Sequence, residues 1–181
     1  TGILNAATAF GKTVVCCNII AGKKVNTLIL LQSSALMEQW ESALEKFLMI
    51  DEELPEYETP SGRKKRRKSV IGKLQGAHDS TTGIIDIAMV GSVCKKGEFH
   101  RRLKEYGLII VDECHHVSAF TFEKILREVN AKYVYGLTAT PKRQDGHQPI
   151  ITMQCGPVRY QVDALAQSVK RDFSHYVNCV F

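Results

Sequence analysis

The chain has 181 residues, of which 44% are hydrophobic and 24% charged; this supports one domain with a core of its own and excludes wholesale disorder. No run approaches the roughly 18 apolar residues of a membrane-spanning helix, and no basic-then-apolar leader opens the chain, which begins at Thr1 and reads as a piece of something longer. The formal net charge of +5 admits a polyanionic partner without requiring one.

In chain order, residues 2–6 are a short apolar segment predicted as a strand, and they run into Ala6-Ala7-Thr8-Ala9-Phe10-Gly11-Lys12-Thr13. Residues 13–21 read as a helix that is apolar on most sides. Residues 25–31 are nearly all apolar and β-rich, which suits a central parallel strand covered on both faces. Ser34 is placed to cap a helix reaching about residue 48, with Leu36, Trp40, Leu44, Phe47 and Leu48 at helical spacing. Residues 51–83 are interrupted by Pro and Gly and are expected to be an insertion or a mobile loop, with 68–74 as a short helix or strand. This stretch carries an acidic run (Asp51, Glu52, Glu53, Glu56, Glu58) and a basic hexad at 63–68, which reads as a solvated loop or as a surface touching nucleic-acid phosphate.

Beyond it, strands are predicted at 84–90, 108–111, 133–137 and 150–154, and helices at 98–106, 120–129 and 162–170. Strands alternating with helices predict an α/β three-layer sandwich with a mainly parallel central sheet. Cysteines 16, 17, 94, 114, 155 and 179 contain no C-x2-C pair, which argues against structural zinc. They read as buried thiols in a reducing cytoplasm.

Three groups of polar residues fall just past strand ends, where open α/β sheets bind ligands. A strand, a Gly-Lys-Thr loop and a helix make a nucleotide phosphate site. Gly11 permits the tight turn, Lys12 reaches β and γ phosphates, Thr13 offers a hydroxyl to Mg²⁺, and Thr8, Ala9, Phe10 and Gly11 supply the loop around the anion. Ala6 and Ala9 stand where Gly is usual, and Ala9 costs about 1 kcal/mol if its φ must be positive. Asp112 and Glu113 end the 108–111 strand: Asp112 is assigned to the metal, Glu113 to the attacking water. His115 and His116 do not form the H-E-x-x-H arrangement, and one of them is expected to hydrogen-bond near the nucleotide. Thr138 and Thr140 in Leu137-Thr138-Ala139-Thr140-Pro141 are the third group.

These motifs in this order resemble the first motor domain of superfamily 2, DEAD/DEAH-box-like helicases and translocases. They are most similar to the branch holding restriction-enzyme motor subunits and repair-type double-strand DNA translocases. Residues 7–13 match its phosphate loop, Asp112-Glu113-Cys114-His115 its acidic box and Thr138-Ala139-Thr140 its coupling motif. Residues 31–40 resemble the segment that borders nucleic acid in the family, and residues 136–146 the extended motif of the branch. The resemblance implies a RecA-like P-loop fold, ATP with Mg²⁺ as cofactors, coupling roles for His115, Thr138 and Thr140, and double-stranded DNA as partner. It also implies a second motor domain of the same chain. Residues 1–156 are expected to be the ATP-binding domain and 157–181 a linker, the isolated piece being monomeric and nearly inactive.

Ser33, Ser34 and Gln39, and also Gly91 and Ser92, are candidates for contacts to the nucleic-acid backbone, with helix capping the alternative. Two rival functions remain: a P-loop ATPase of another class, and a nucleic-acid-binding module whose nucleotide site has decayed.

Overall fold

A computed structural model describes residues 1–7, 10–59, 61–95, 97–114, 119–139 and 148–162. In chain order the elements are β1 (Gly2–Asn5), α1 (Lys12–Lys23), β2 (Thr27–Leu31), α2 (Ala35–Phe47), β3 (Glu56–Glu58), β4 (Lys64–Arg66), β5 (Ile71–Gln75) and β6 (His78–Asp79). There follow β7 (Ile85–Met89), α3 (Val90–Val93), β8 (Cys94–Lys95), β9 (Glu98–Phe99), a 3-10 turn (Arg101–Glu105), β10 (Leu108–Val111), α4 (Ala119–Glu128), β11 (Tyr133–Thr138), α5 (Gln148–Cys155) and β12 (Val158–Gln161).

Eight strands form one sheet in the order β12-β1-β11-β10-β2-β7-β5-β6, parallel throughout except for β6. Side chains alternate across this sheet, so consecutive apolar residues feed two cores. Leu28, Leu30, Ile109 and Val111 pack on one face with Phe122 and Ile125 of α4. Ile29, Leu31, Leu108 and Ile110 pack on the other with Cys16, Cys17 and Ile20 of α1 and Met37, Trp40 and Leu44 of α2. That is why β2 and β10 read as unbroken apolar runs: both faces are covered. Phe99, Tyr106 and Phe122 belong to the first core, as their apolar bulk requires.

Several expectations need correction. The stretch 51–83, expected to be an insertion or a mobile loop with 68–74 as a short helix or strand, holds the short strands β3 to β6. β5 joins the main sheet beside β7, and Gly72 is the reason its glycine is no breaker: a β-carbon there would stand 2.6 Å from the Ser80 carbonyl and 2.8 Å from Thr81 Cα. The acidic and basic runs pair as the antiparallel strands β3 and β4, with Glu56 opposite Arg66 and Glu58 opposite Lys64. Opposite charges across the ladder favour that pairing. The helix expected at 98–106 is reduced to the 3-10 turn, because β8 and β9 form a tight hairpin with Gly97 at φ 86°. The strand expected at 150–154 is part of helix α5, a distinction that a short apolar run cannot make by itself. Gly156, at φ 88°, ends it in the left-handed conformation, and its N–H donates to the Thr152 carbonyl at 2.9 Å. The sheet takes in β12, past the boundary expected at 156, and the Ile3 N–H donates to the Pro157 carbonyl at 3.0 Å. The helix expected at 162–170 lies outside the described residues except for Val162, as does Cys179.

Candidate nucleotide site

The site is built on the carboxyl ends of neighbouring strands β1, β11 and β10. α1 opens directly after β1's loop, with Gly11 at φ 90° in the left-handed region that glycine enters freely. No acidic side chain sits in the helix's first turn, so its N–H groups and positive dipole end stay available to an anion. Lys12 folds over the start of the loop: its Nζ donates to the Ala6 carbonyl at 3.2 Å and lies 3.5 Å from Glu113 Oε1. Thr13 follows, half-buried, and Phe10 is half-buried with its ring 6.2 Å from that of Tyr160. Thr8 and Ala9 lie outside the described residues.

β10 delivers the acidic pair. The Asp112 N–H donates to the Leu30 carbonyl at 3.0 Å, which carries the sheet ladder up to the carboxylate. Adjacent strand residues face opposite ways, so a regular strand would separate Asp112 from Glu113. Glu113 instead takes φ 46°, a left-handed conformation uncommon for a side chain of its size, and this brings its carboxylate back to Lys12. The same turn lets the Glu113 N–H donate to Asp112 Oδ1 at 2.9 Å.

Asp112 is 7% exposed. Its Oδ2 accepts the indole N–H of Trp40 at 2.8 Å. Burial pushes its carboxyl above the usual carboxylate range; the charge of Glu113 adds to this, while the Trp40 and Glu113 N–H bonds and Lys12 oppose it. An ionised Asp112 is therefore costly here unless a cation lies beside it.

Thr138 ends β11 and is buried; its carbonyl accepts the Ala6 N–H at 3.0 Å, which ties the third motif to the start of the phosphate loop. His115, His116 and Thr140, with residues 141–147 of the extended motif, lie outside the described residues.

The structure thus brings together Lys12, Asp112, Glu113 and Thr138. The nucleic-acid candidates divide. Ser33, Ser34 and Gln39 are exposed at the carboxyl end of β2 and the start of α2. Ser34 takes the N-cap position without a side-chain cap bond, so the capping alternative does not describe it. It borders a cleft of about 510 Å³ shared with Lys73, Gln75 and His78, polar residues that the sequence analysis did not single out. Gly91 is exposed, whereas Ser92 is buried in α3 and its Oγ accepts the Gly76 N–H at 2.8 Å, a role in the fold. Trp40 was legible as a core residue but not as the partner of Asp112; its single N–H, which needs an acceptor when buried, was the available signal.

A parallel sheet with a phosphate-loop lysine, an acidic pair and a hydroxyl on adjacent strand ends defines a RecA-like nucleotide-binding domain, the class of the first motor domain of superfamily 2 helicases and translocases. The family described as "Type III restriction enzyme, res subunit" matches residues 1–143, and the chain belongs to it. It is 29% identical over 160 residues to the DNA 3'-5' translocase XPB2 of Sulfurisphaera tokodaii, covering 88% of this chain and 31% of that protein. It is 31% identical over 161 residues to putative helicase 109L of Invertebrate iridescent virus 3, covering 86% of this chain and 44% of that one. The chain therefore spans less than half the length of either relative. The crystal structure of the UvsW helicase from Bacteriophage T4 shares the fold, with a TM-score of 0.63 at 16% identity over 88% of this chain and 54% of that one. No helix among the described residues is long and apolar enough to cross a membrane.

Proposed function

We propose that this chain is the ATP-binding half of a cytoplasmic motor that hydrolyses ATP to move along double-stranded DNA. The observation that carries this reading is Lys12 Nζ standing 3.5 Å from Glu113 with Asp112 beside it, the phosphate loop meeting the acidic box. A nucleotide with Mg²⁺ fits these residues. Asp112 accepts one described hydrogen bond on each oxygen, so lone pairs remain for a hydrated cation that its burial favours. Thr13 and Asp112 would hold the metal, which when bound neutralises phosphate charge.

Lys12 exchanges its Ala6 and Glu113 partners for phosphate oxygens, and the helix start of α1 supplies N–H donors around Gly11. Thr8, Ala9 and Phe10 complete the loop. Glu113, released by Lys12, orients the attacking water and takes its proton. Thr138, with His115 and Thr140, couples the site to movement. Ser33, Ser34, Gln39 and Gly91 border the DNA backbone, which suits a motor that reads no base sequence. Residues 1–161 form the domain, and the cleft is completed by a second motor domain, without which the chain is monomeric and turns over little ATP.

The test is the ATPase rate of the whole protein with and without duplex DNA, beside Glu113→Gln. DNA stimulation that Glu113→Gln abolishes by at least about 100-fold supports the motor. A rate indifferent to DNA and RNA overturns it in favour of a P-loop ATPase of another class. Absence of ATP·Mg binding leaves the decayed nucleotide site.

A further inference from the structure

Trp40 is the chain's single tryptophan. It is 1% exposed, on the face of α2 that also buries Met37 and Leu44. A tryptophan placed only to fill that core could satisfy its N–H on any nearby backbone carbonyl. Instead it donates across 72 positions of sequence to Asp112 Oδ2 at 2.8 Å. The Glu113 N–H occupies Oδ1 at 2.9 Å. With one donor on each oxygen, the carboxylate plane is fixed, and the remaining lone pairs are those not spent on the protein. Hydrogen bonds to an ionised acceptor are short and strong, and groups that orient a metal-binding side chain set how well it binds.

We propose that Trp40 is a positioning residue for Mg²⁺: its indole N–H holds Asp112 in the orientation that receives the metal, and its emission reports occupation of that site. The proposal rests on the nucleotide reading above. Loss of the N–H leaves the Asp112 carboxylate held by the Glu113 N–H alone, able to pivot about that bond, so the metal must then pay for ordering it. Phosphate binding by Lys12 does not pass through this bond. The two consequences separate a positioning role from a structural one, since a disturbed core would weaken nucleotide binding with and without the metal.

The experiment uses the 181-residue chain and a fluorescent ATP analogue. Binding is measured in EDTA and then across a Mg²⁺ titration, for the wild type and Trp40→Phe. The expected result is an unchanged affinity in EDTA and a Mg²⁺ midpoint raised about 10-fold or more in Trp40→Phe. If Trp40→Phe does not fold, benzothienylalanine at position 40, which keeps the ring volume and lacks only the N–H, takes its place; the single tryptophan makes that replacement site-specific. In parallel, tryptophan emission of the wild type changes on adding Mg²⁺ to the chain with unlabelled ATP, and Asp112→Ala removes the metal-dependent change. A wild type that binds the analogue with a Mg²⁺ dependence identical to that of either position-40 variant overturns the proposal alone. A wild type with no Mg²⁺-dependent binding overturns the site reading and the proposal together.

Discussion

Two aspartates mark opposite ends of this sheet, and both are buried. Asp86, 0% exposed, lies near the amino end of β7. It accepts from the Thr82 N–H at 2.8 Å, the Gly83 N–H at 2.7 Å and the Tyr106 hydroxyl at 2.6 Å, with the Thr82 hydroxyl at 3.2 Å sharing its proton with the Val70 carbonyl. Asp112, at the carboxyl end of β10, has two described donors, one for each oxygen. Burial alone does not distinguish them. What differs is spare acceptor capacity and the company of a phosphate loop: Asp86 is saturated by the turn it closes, whereas Asp112 is held in place with lone pairs left over. A buried acid marks a candidate site when its surroundings orient it without satisfying it.

Exchanging each for asparagine is the sharpest way to break this comparison. Asp86→Asn lowers stability by about 3–4 kcal/mol, because an amide NH₂ is turned onto donors that the carboxylate satisfied. Asp112→Asn costs less, about 1–2 kcal/mol, since the fold already disfavours the charge and the amide NH₂ meets only one donor, the Trp40 or the Glu113 N–H, yet it removes Mg²⁺-dependent nucleotide binding. Urea melts and nucleotide titrations on both variants check this; a loss of several kcal/mol in Asp112→Asn would make Asp112 a structural residue like Asp86. Gly72→Ala probes the saturated end from its neighbour. The added methyl would collide with Asp86 Oδ1 and with backbone of residues 80 and 81, so a cost of about 2–3 kcal/mol is expected in the same melts.

The carboxyl end was the more legible of the two. Leu108-Ile109-Ile110-Val111 is covered on both faces and bounded by Gly107 and Asp112, so composition alone gave β10 its limits. Lys12 opens the helix after β1's loop, Asp112 and Glu113 follow β10 directly and Thr138 ends β11, so their grouping at strand ends was legible. The amino end was hidden by its dependence on distant contacts. Gly72 looks like a breaker until Asp86 is seen to need the space. Tyr106 reads as plain core until its hydroxyl meets Asp86, 20 positions away. β12 alternates Val158-Arg159-Tyr160-Gln161 over four residues only, all of them exposed at the sheet's edge, and pairing with β1 is what makes so short a run a strand. The turn at Glu113 needs a positive φ that no residue type there announces.

Smaller effects test whether exposure, rather than charge, sets the scale away from these two acids. Partial burial works against the charge of Asp79, but the Thr81 hydroxyl at 2.7 Å, the His100 imidazole at 3.1 Å and the Thr81 N–H at 2.9 Å outweigh it and hold the carboxyl down at about 2 against an ordinary 3.8. A carboxyl lowered on folding contributes stability that is complete above its unfolded value and is lost as pH falls from 3.8 towards about 2. Asp79→Asn should flatten that part of the stability–pH profile and leave its shape above pH 5 or so unchanged. An unaltered acid limb would remove Asp79 from the account.

The β3–β4 hairpin should show the least. Arg66 and Glu56 are 3.3 Å apart, yet their side chains are 70% and 55% exposed. Water and salt screen such a pair, and holding two long side chains together costs entropy. Arg66→Ala is therefore expected to lower the stability read from urea melts by no more than about 0.5 kcal/mol, with the change vanishing at high salt. The basic run holds six consecutive cations; the stability of the fold should hardly register one of them. A loss above about 1 kcal/mol would mean that the hairpin is bound into the cooperative core through its charges. The contrast between a few buried, oriented acids and many exposed, loosely paired charges would then fail at the place where it predicts the smallest response.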